Sequence, residues 1–133
     1  MLGVGAIIVR DERVLLVRRA HPPLQGEWSI PGGLVETGET TQEAVIREVR
    51  EETGLEIQVA KLAKVFERIL RDQDSRVQYH FVLIDYLCRP ISGEAKAGSD
   101  VTEVCWATLD ELDSFAVARD TCAVIKEALQ HDA

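Results

Sequence analysis

The sequence predicts an α/β fold in which a mixed β-sheet is covered by helices. Three observations carry that expectation. Short Val- and Ile-rich runs recur along the chain, a capped helix interrupts them in the middle, and an amphipathic helix closes the chain.

Residues 3–9 read as a buried strand, and residues 14–18 as a second one across a polar turn. Residues 20–27, with Pro22, Pro23 and Gly26, read as a loop. Trp28, Ser29 and Ile30 form a short apolar piece that Pro31, Gly32 and Gly33 cut off, and residues 34–39 continue as a loop. A helix is expected from Thr40 or Thr41 to Thr53, because threonine caps the start, Glu43 lies in the first turn and Gly54 stops it. Residues 62–71 and 76–88 alternate enough to be two long strands joined by a hairpin turn at residues 72–75. Residues 89–100 read as a loop and residues 101–107 as a strand. Thr108 and Glu111 have capping-box spacing and open a short helix. Residues 120–130 form the last helix, where Cys122, Ile125 and Leu129 recur at helical spacing. The order ββ(β)αβββαα implies a single domain over residues 1–133, ending in a tail, residues 131–133, expected to be poorly ordered.

The chain carries a formal charge of −8 and 46% apolar residues, an ordinary globular composition. Residues 33–56 hold seven glutamates against Arg47 and Arg50. So acidic a segment repels phosphates unless cations intervene, and a bound divalent ion would invert that logic. The basic stripe of a general nucleic-acid binder is missing, so no nucleic-acid partner is expected. No run approaches the roughly 20 apolar residues of a membrane span. The apolar start has no basic flank and reads as a strand rather than a signal peptide. Cys88, Cys105 and Cys122 form no metal-binding spacing, and are expected to be buried, reduced thiols of a cytoplasmic protein. His21, His80 and His131 share no ligand spacing either.

Glu48, Glu51 and Glu52 lie at i, i+3 and i+4 and share one helix face. Each residue turns the helix by about 100°, so that face borders the apolar side carrying Val45 and Val49. Carboxylates crowded beside a low-dielectric wall are costly without a cation. Hard cations such as Mg²⁺ take oxygen ligands from a few carboxylates, phosphates and water. The turn at residues 31–33 lets backbone approach closely, so a carbonyl there could add a ligand. The alternative from these residues alone is a solvated, salt-bridged helix face.

The wider spacing decides between them. The chain reads Gly33, five residues, Glu39, seven residues, Arg47-Glu48-Val49, one residue, Glu51-Glu52, one residue, Gly54-Leu55. This resembles the Nudix box at every defined position. The resemblance implies a Nudix-type α/β/α sandwich and a Mg²⁺-dependent hydrolase, with Mn²⁺ as a substitute ion. Its substrate would be a small nucleoside diphosphate linked to another group, such as a nucleoside triphosphate or ADP-ribose. It further implies that Gly32, through its carbonyl, and Glu48, Glu51 and Glu52 hold the metal. Glu39 and Arg47 would form a structural ion pair. Glu48 or Glu51 would serve catalysis by accepting the proton of the attacking water.

Outside the box, Arg19 resembles the family's substrate-contacting arginine, with a solvated strand end as its alternative. Trp28 would line the base pocket or pack in the core. Glu94, Asp100 and Glu103 return toward the site and are candidates for an extra ligand or base. A proline that often follows the box in ADP-ribose hydrolases is missing at residues 69–72, and the resemblance leaves the substrate, and a homodimer, open. A nucleotide sensor or interaction domain without turnover is the rival reading.

Overall fold

The computed structural model describes residues 1–22 and 24–131; of the tail expected at residues 131–133, residue 131 ends the last helix, and residues 132–133 lie outside the described residues. Seven strands form one mixed sheet: β1 (Leu2–Arg10), β2 (Arg13–Arg19), β3 (Trp28–Ser29), β4 (Gly32–Leu34), β5 (Glu56–Arg71), β6 (Val77–Ser92) and β7 (Val101–Ala107). Helix α1 (Thr41–Thr53) follows β4, and α2 (Arg119–His131) ends the chain after a 3-10 turn at Leu109–Glu111.

β1 organises the sheet. One edge pairs in parallel with β6, from Leu2↔Val82 to Ile8↔Cys88. The other edge is divided: Gly3, Val4 and Gly5 pair with β4, and Val9 and Arg10 pair with β2. β2 in turn pairs with β3 and β7. A parallel neighbour requires a crossover, and α1 is built into the long connection between β1 and β6.

Side chains alternate across the strands, so β1 sends Val4, Ala6 and Ile8 to one face and Ile7 to the other. Ala44, Val45 and Val49 of α1 pack on the first face with Leu55, Tyr86 and Cys88. Val124, Ile125 and Ala128 of α2 pack on the second with Val14, Leu16 and Leu87. The expected sandwich is therefore present, one helix on each side of the sheet.

The start of α1 is a capping box. Thr40 Oγ1 accepts from the Glu43 amide at 3.1 Å, and Glu43 Oε1 accepts from the Thr40 amide at 3.2 Å. Gly54 ends the helix at φ 76°, with its amide on the Arg50 carbonyl at 3.0 Å. The expected boundaries of α1 and β7 hold.

Other elements differ from expectation. β5 starts six residues earlier than expected and β6 runs on to Ser92, into the segment read as a loop. Register shifts at Glu56/Ile57, Val59/Lys61 and Leu62/Lys64 break the two-residue period that reveals a strand. Gly32, Gly33 and Leu34 form a strand because the divided edge of β1 offers them partners, which no local pattern reports. Cys88 and Cys122 are buried, but Cys105 is only partly so; all three are free thiols. Burial pushes the Cys88 thiol up to about 12. Among the described residues no helix is long and apolar enough to cross a membrane.

Candidate functional site

The site begins with Arg47, half-buried on the flank of α1. Its Nη2 and Nε donate to Glu39 Oε1 and Oε2 at 2.7 and 3.0 Å, a two-point grip. Nη2 also donates to the Leu34 carbonyl at 3.1 Å. Glu39 in addition accepts from the Glu36 amide at 2.8 Å, so the 34–39 loop is tied to the helix from both ends. The guanidinium and the Glu36 amide hold the Glu39 carboxyl down to about 2, and the same contacts push Arg47 upward. The expected ion pair is thus in place.

Nη1 of Arg47 turns toward the acidic face. It donates to Glu48 Oε1 at 3.0 Å and to Glu51 Oε2 at 3.2 Å. Glu52 points away from this grip and is only 8% exposed. Its Oε1 accepts from the Gly32 amide at 2.8 Å. Burial pushes the Glu52 carboxyl up to about 8, against the Gly32 hydrogen bond, which favours the anion. Glu48 is raised as well, chiefly by burial and in spite of Arg47.

The glycines decide how closely these groups approach. A Cβ on Gly33 would stand 2.4 Å from Glu48 Cδ, so the Glu48 carboxylate lies flat on Gly33. A Cβ on Gly32 would meet the Val4 carbonyl oxygen at 2.0 Å, because β4 is pressed onto β1. Glu48 and Glu52 therefore reach the two residues of the glycine turn.

The chain carries an arrangement that the sequence reading missed. The connection from β6 to β7 caps the C-terminal end of α1: the amides of Lys96, Gly98 and Ser99 donate to the carbonyls of Thr53, Glu52 and Glu51 at 2.9, 2.7 and 3.1 Å. Gly98 permits this because any Cβ there would strike the Glu51 carbonyl oxygen at 2.1 Å. Asp100 follows directly, at φ 62°. It lies close enough to Glu48 and Glu52 for its charge to raise both. Of the three acids expected to return to the site, Asp100 is the one whose charge bears on Glu48 and Glu52, although its exposed carboxylate faces His21 Nε2 at 3.5 Å. Glu103 instead pairs with Arg18 at 2.9 Å, and the Glu94 side chain is exposed without a hydrogen bond or ion pair among the described residues.

Arg19 acts electrostatically on Glu52, favouring the anion. It also lines a cleft of about 250 Å³ on the α2 face of the sheet. Gly3 and Gly5 floor the cleft, Phe66, Arg68 and Phe81 wall it, and Gly32 and Gly33 separate it from the acidic face. Trp28 is not among its lining residues; its ring meets Phe115 edge-on at 5.0 Å in the α2-side core. Asp85, unremarked in the sequence, lies in this cleft at 4% exposure. Burial pushes its carboxyl up to about 6, opposed by the Arg68 charge and aided by that of Asp120. A charged residue in the middle of the apolar run at residues 81–88 was the available signal.

The donor set fits a hard divalent cation: carboxylates of raised pKa beside a turn whose backbone is open to close approach. Here Glu48 and Glu51 turn to Arg47 and Glu52 to Gly32, and among the described residues no three acidic, His or Cys side chains converge in a ready metal-binding group.

The family pattern described as NUDIX domain matches residues 1–127. An ADP-ribose pyrophosphatase of Methanocaldococcus jannaschii is 40% identical over 86% of this chain, which spans 66% of that protein's length. The human 8-oxo-dGDP phosphatase NUDT18 is 30% identical over 96% of this chain and 38% of its own length. The crystal structure of a MutT NUDIX hydrolase from Burkholderia pseudomallei superposes with a TM-score of 0.81, covering 95% of each chain at 33% identity.

Proposed function

Given that the chain belongs to the Nudix family, we propose that it is a Mg²⁺-dependent pyrophosphohydrolase of small nucleoside diphosphate derivatives. One observation carries the reading: Glu48 and Glu52, carboxylates of raised pKa, meet the Gly32-Gly33 turn between α1 and the cleft. A diphosphate at that turn would have metal-binding carboxylates on one side and an open cleft for the rest of the substrate on the other.

Glu48, Glu51, Glu52 and the Gly32 carbonyl would hold the metal, with Mn²⁺ as a substitute. The ion, when bound, neutralises phosphate charge and lowers the pKa of the attacking water. The chain's own residues do the rest. Arg47 orients Glu48 and Glu51 through Nη1 while Glu39 fixes Arg47. Glu48, half-buried and raised, is suited to take the proton of water attacking phosphorus; Glu51 and Asp100 are the other bases within this cluster. Arg19, between the cleft and Glu52, would donate to a phosphate oxygen.

The named relatives differ in the base their substrates carry, adenine in ADP-ribose and oxidised guanine in 8-oxo-dGDP. The test is a panel of nucleoside triphosphates, ADP-ribose and dinucleotide polyphosphates with Mg²⁺. Phosphate release is read with and without added phosphatase. Products ending in phosphate are expected from at least one compound; none at micromolar enzyme refutes the hydrolase in favour of a binding domain without turnover.

A further inference from the structure

We propose that Asp85 reads the substrate's base: its buried carboxylate, facing the α2-side cleft with no hydrogen-bond partner among the described residues, accepts the two adjacent N–H groups of a guanine-type base. The inference rests on the reading of the site as one for nucleoside diphosphate derivatives, and names the class of base.

Placement comes first. Asp85 stands opposite Gly5 in the parallel β1–β6 pairing, and a Cβ on Gly5 would lie 2.5 Å from Asp85 Oδ1. The carboxylate thus occupies the space that the glycine leaves, at the floor of the cleft. Gly5 pairs on its other side with Gly32, so this floor is one strand away from the glycine turn beside the acidic face. A base on Asp85 and a diphosphate at the turn are within one small molecule's reach.

The chemistry selects the base. The Asp85 oxygens keep their exposure to the cleft, so a ligand that displaces water there must supply donors of its own. Two carboxylate oxygens side by side match two parallel N–H donors. Guanine offers N1–H and the N2 amine adjacent to each other, and hypoxanthine offers N1–H alone. Adenine turns an acceptor, N1, toward the same place. Oxidation at C8 leaves this edge of guanine unchanged. Beside guanine N1 lies the O6 acceptor, and a donor is at hand. Arg68 commits Nε and Nη2 to Asp120 at 3.0 and 2.6 Å and Nη2 also to Thr121 Oγ1 at 3.0 Å. Its Nη1 makes no hydrogen bond among the described residues, and Arg68 lines the same cleft. The Asp120 grip holds the guanidinium in place. Asp85 and Arg68 together therefore present acceptor, acceptor and donor to a base that presents donor, donor and acceptor.

The test uses the intact chain without metal, titrated by NMR with GMP, IMP and AMP, so that it reads binding and not turnover. GMP is expected to bind about tenfold tighter than IMP and about a hundredfold tighter than AMP, the range for losing charge-assisted hydrogen bonds. D85N is expected to bring GMP and AMP within about threefold of each other with its backbone spectrum preserved. AMP or IMP binding as tightly as GMP overturns the proposal, and so does binding of none of the three at millimolar concentration. These outcomes need no variant and stand even if D85N does not fold. A folded D85N that keeps the wild-type ratio also overturns it. Base preference without hydrolysis sinks the hydrolase reading alone, whereas hydrolysis without base preference sinks the role of Asp85 alone.

Discussion

Arg47 holds Glu39 through two hydrogen bonds of 2.7 and 3.0 Å and, with its remaining nitrogen, reaches Glu48 and Glu51. One guanidinium therefore ties the loop before the helix to the acidic face on it. Lysine keeps the charge but has no planar fork. R47K is expected to lower hydrolysis about ten- to a hundredfold, as loss of a ligand-orienting partner does. Most of the loss should fall in kcat, and the apparent affinity for Mg²⁺ should weaken. Full activity in R47K would remove Arg47 from this role. Glu39 is held down to about 2 from 4.5, so its contribution to stability is complete above pH 4.5 and is lost as the pH falls toward 2.

Glu52 sets a pH dependence of the opposite sense. Its folded-state value of about 8 lies above the reference 4.5, so the folded protein binds the extra proton between those values. Stability of metal-free protein should therefore fall as the pH rises from 4.5 to 8. Glu48 is raised too, and Asp85 adds to the fall between 3.8 and about 6. The nearby charges are Glu48 and Asp100, which add to the rise, and Arg19, which opposes it. Urea unfolding in chelator at pH 5 and pH 8 should show a difference on the order of a few kcal/mol. E52Q should reduce that difference, because glutamine can still accept from Gly32 without carrying a charge. The same variant should lose hydrolysis at least about a hundredfold if Glu52 binds the metal. Retained activity in E52Q defeats that assignment.

The two glycines of the turn should separate fold from function. A methyl on Gly32 meets backbone, the Val4 carbonyl at 2.0 Å, whereas one on Gly33 meets the movable end of Glu48. G32A is expected to destabilise by about 1–3 kcal/mol in urea unfolding, the usual cost of overpacking. G33A should fold with near-wild-type stability but displace the Glu48 carboxylate and lose most of its hydrolysis. Equal effects of the two on stability would contradict this division.

G98A tests the cap on the far end of α1. The added methyl meets the Glu51 carbonyl, so the amides of Lys96, Gly98 and Ser99 must withdraw from the helix. A loss of about 1–3 kcal/mol is expected. Hydrolysis should fall as well, since Asp100 follows this loop into the site. Unchanged stability would show that the connection can adjust without cost.

The sequence by itself determined the features that repeat locally or occur at set spacing. Thr40, Glu43 and Gly54 mark the helix, because caps satisfy backbone groups within a turn of their own residue. The i, i+3, i+4 spacing of Glu48, Glu51 and Glu52 puts them on one face whatever the helix packs against. The family was readable from the spacing of the box, and the Arg47–Glu39 pair followed from that resemblance. Tertiary structure decided what depends on neighbours distant in sequence. β4 exists because β1 leaves half an edge unpaired, and the early start of β5 is hidden by bulges that only its partner strand defines. Asp100 comes beside Glu48 and Glu52 because the amides of Lys96, Gly98 and Ser99 cap α1 and the Ala20 amide holds the Asp100 carbonyl, contacts that no local pattern reports. The separation between Glu52 and Glu48 also arose there, since both are glutamates on one face and burial, a property of the packed sheet, pushes Glu52 up to about 8. Asp85 is the clearest case. Its place opposite Gly5 follows from the parallel β1–β6 register, which joins residues 80 positions apart, and no pattern within either strand states it.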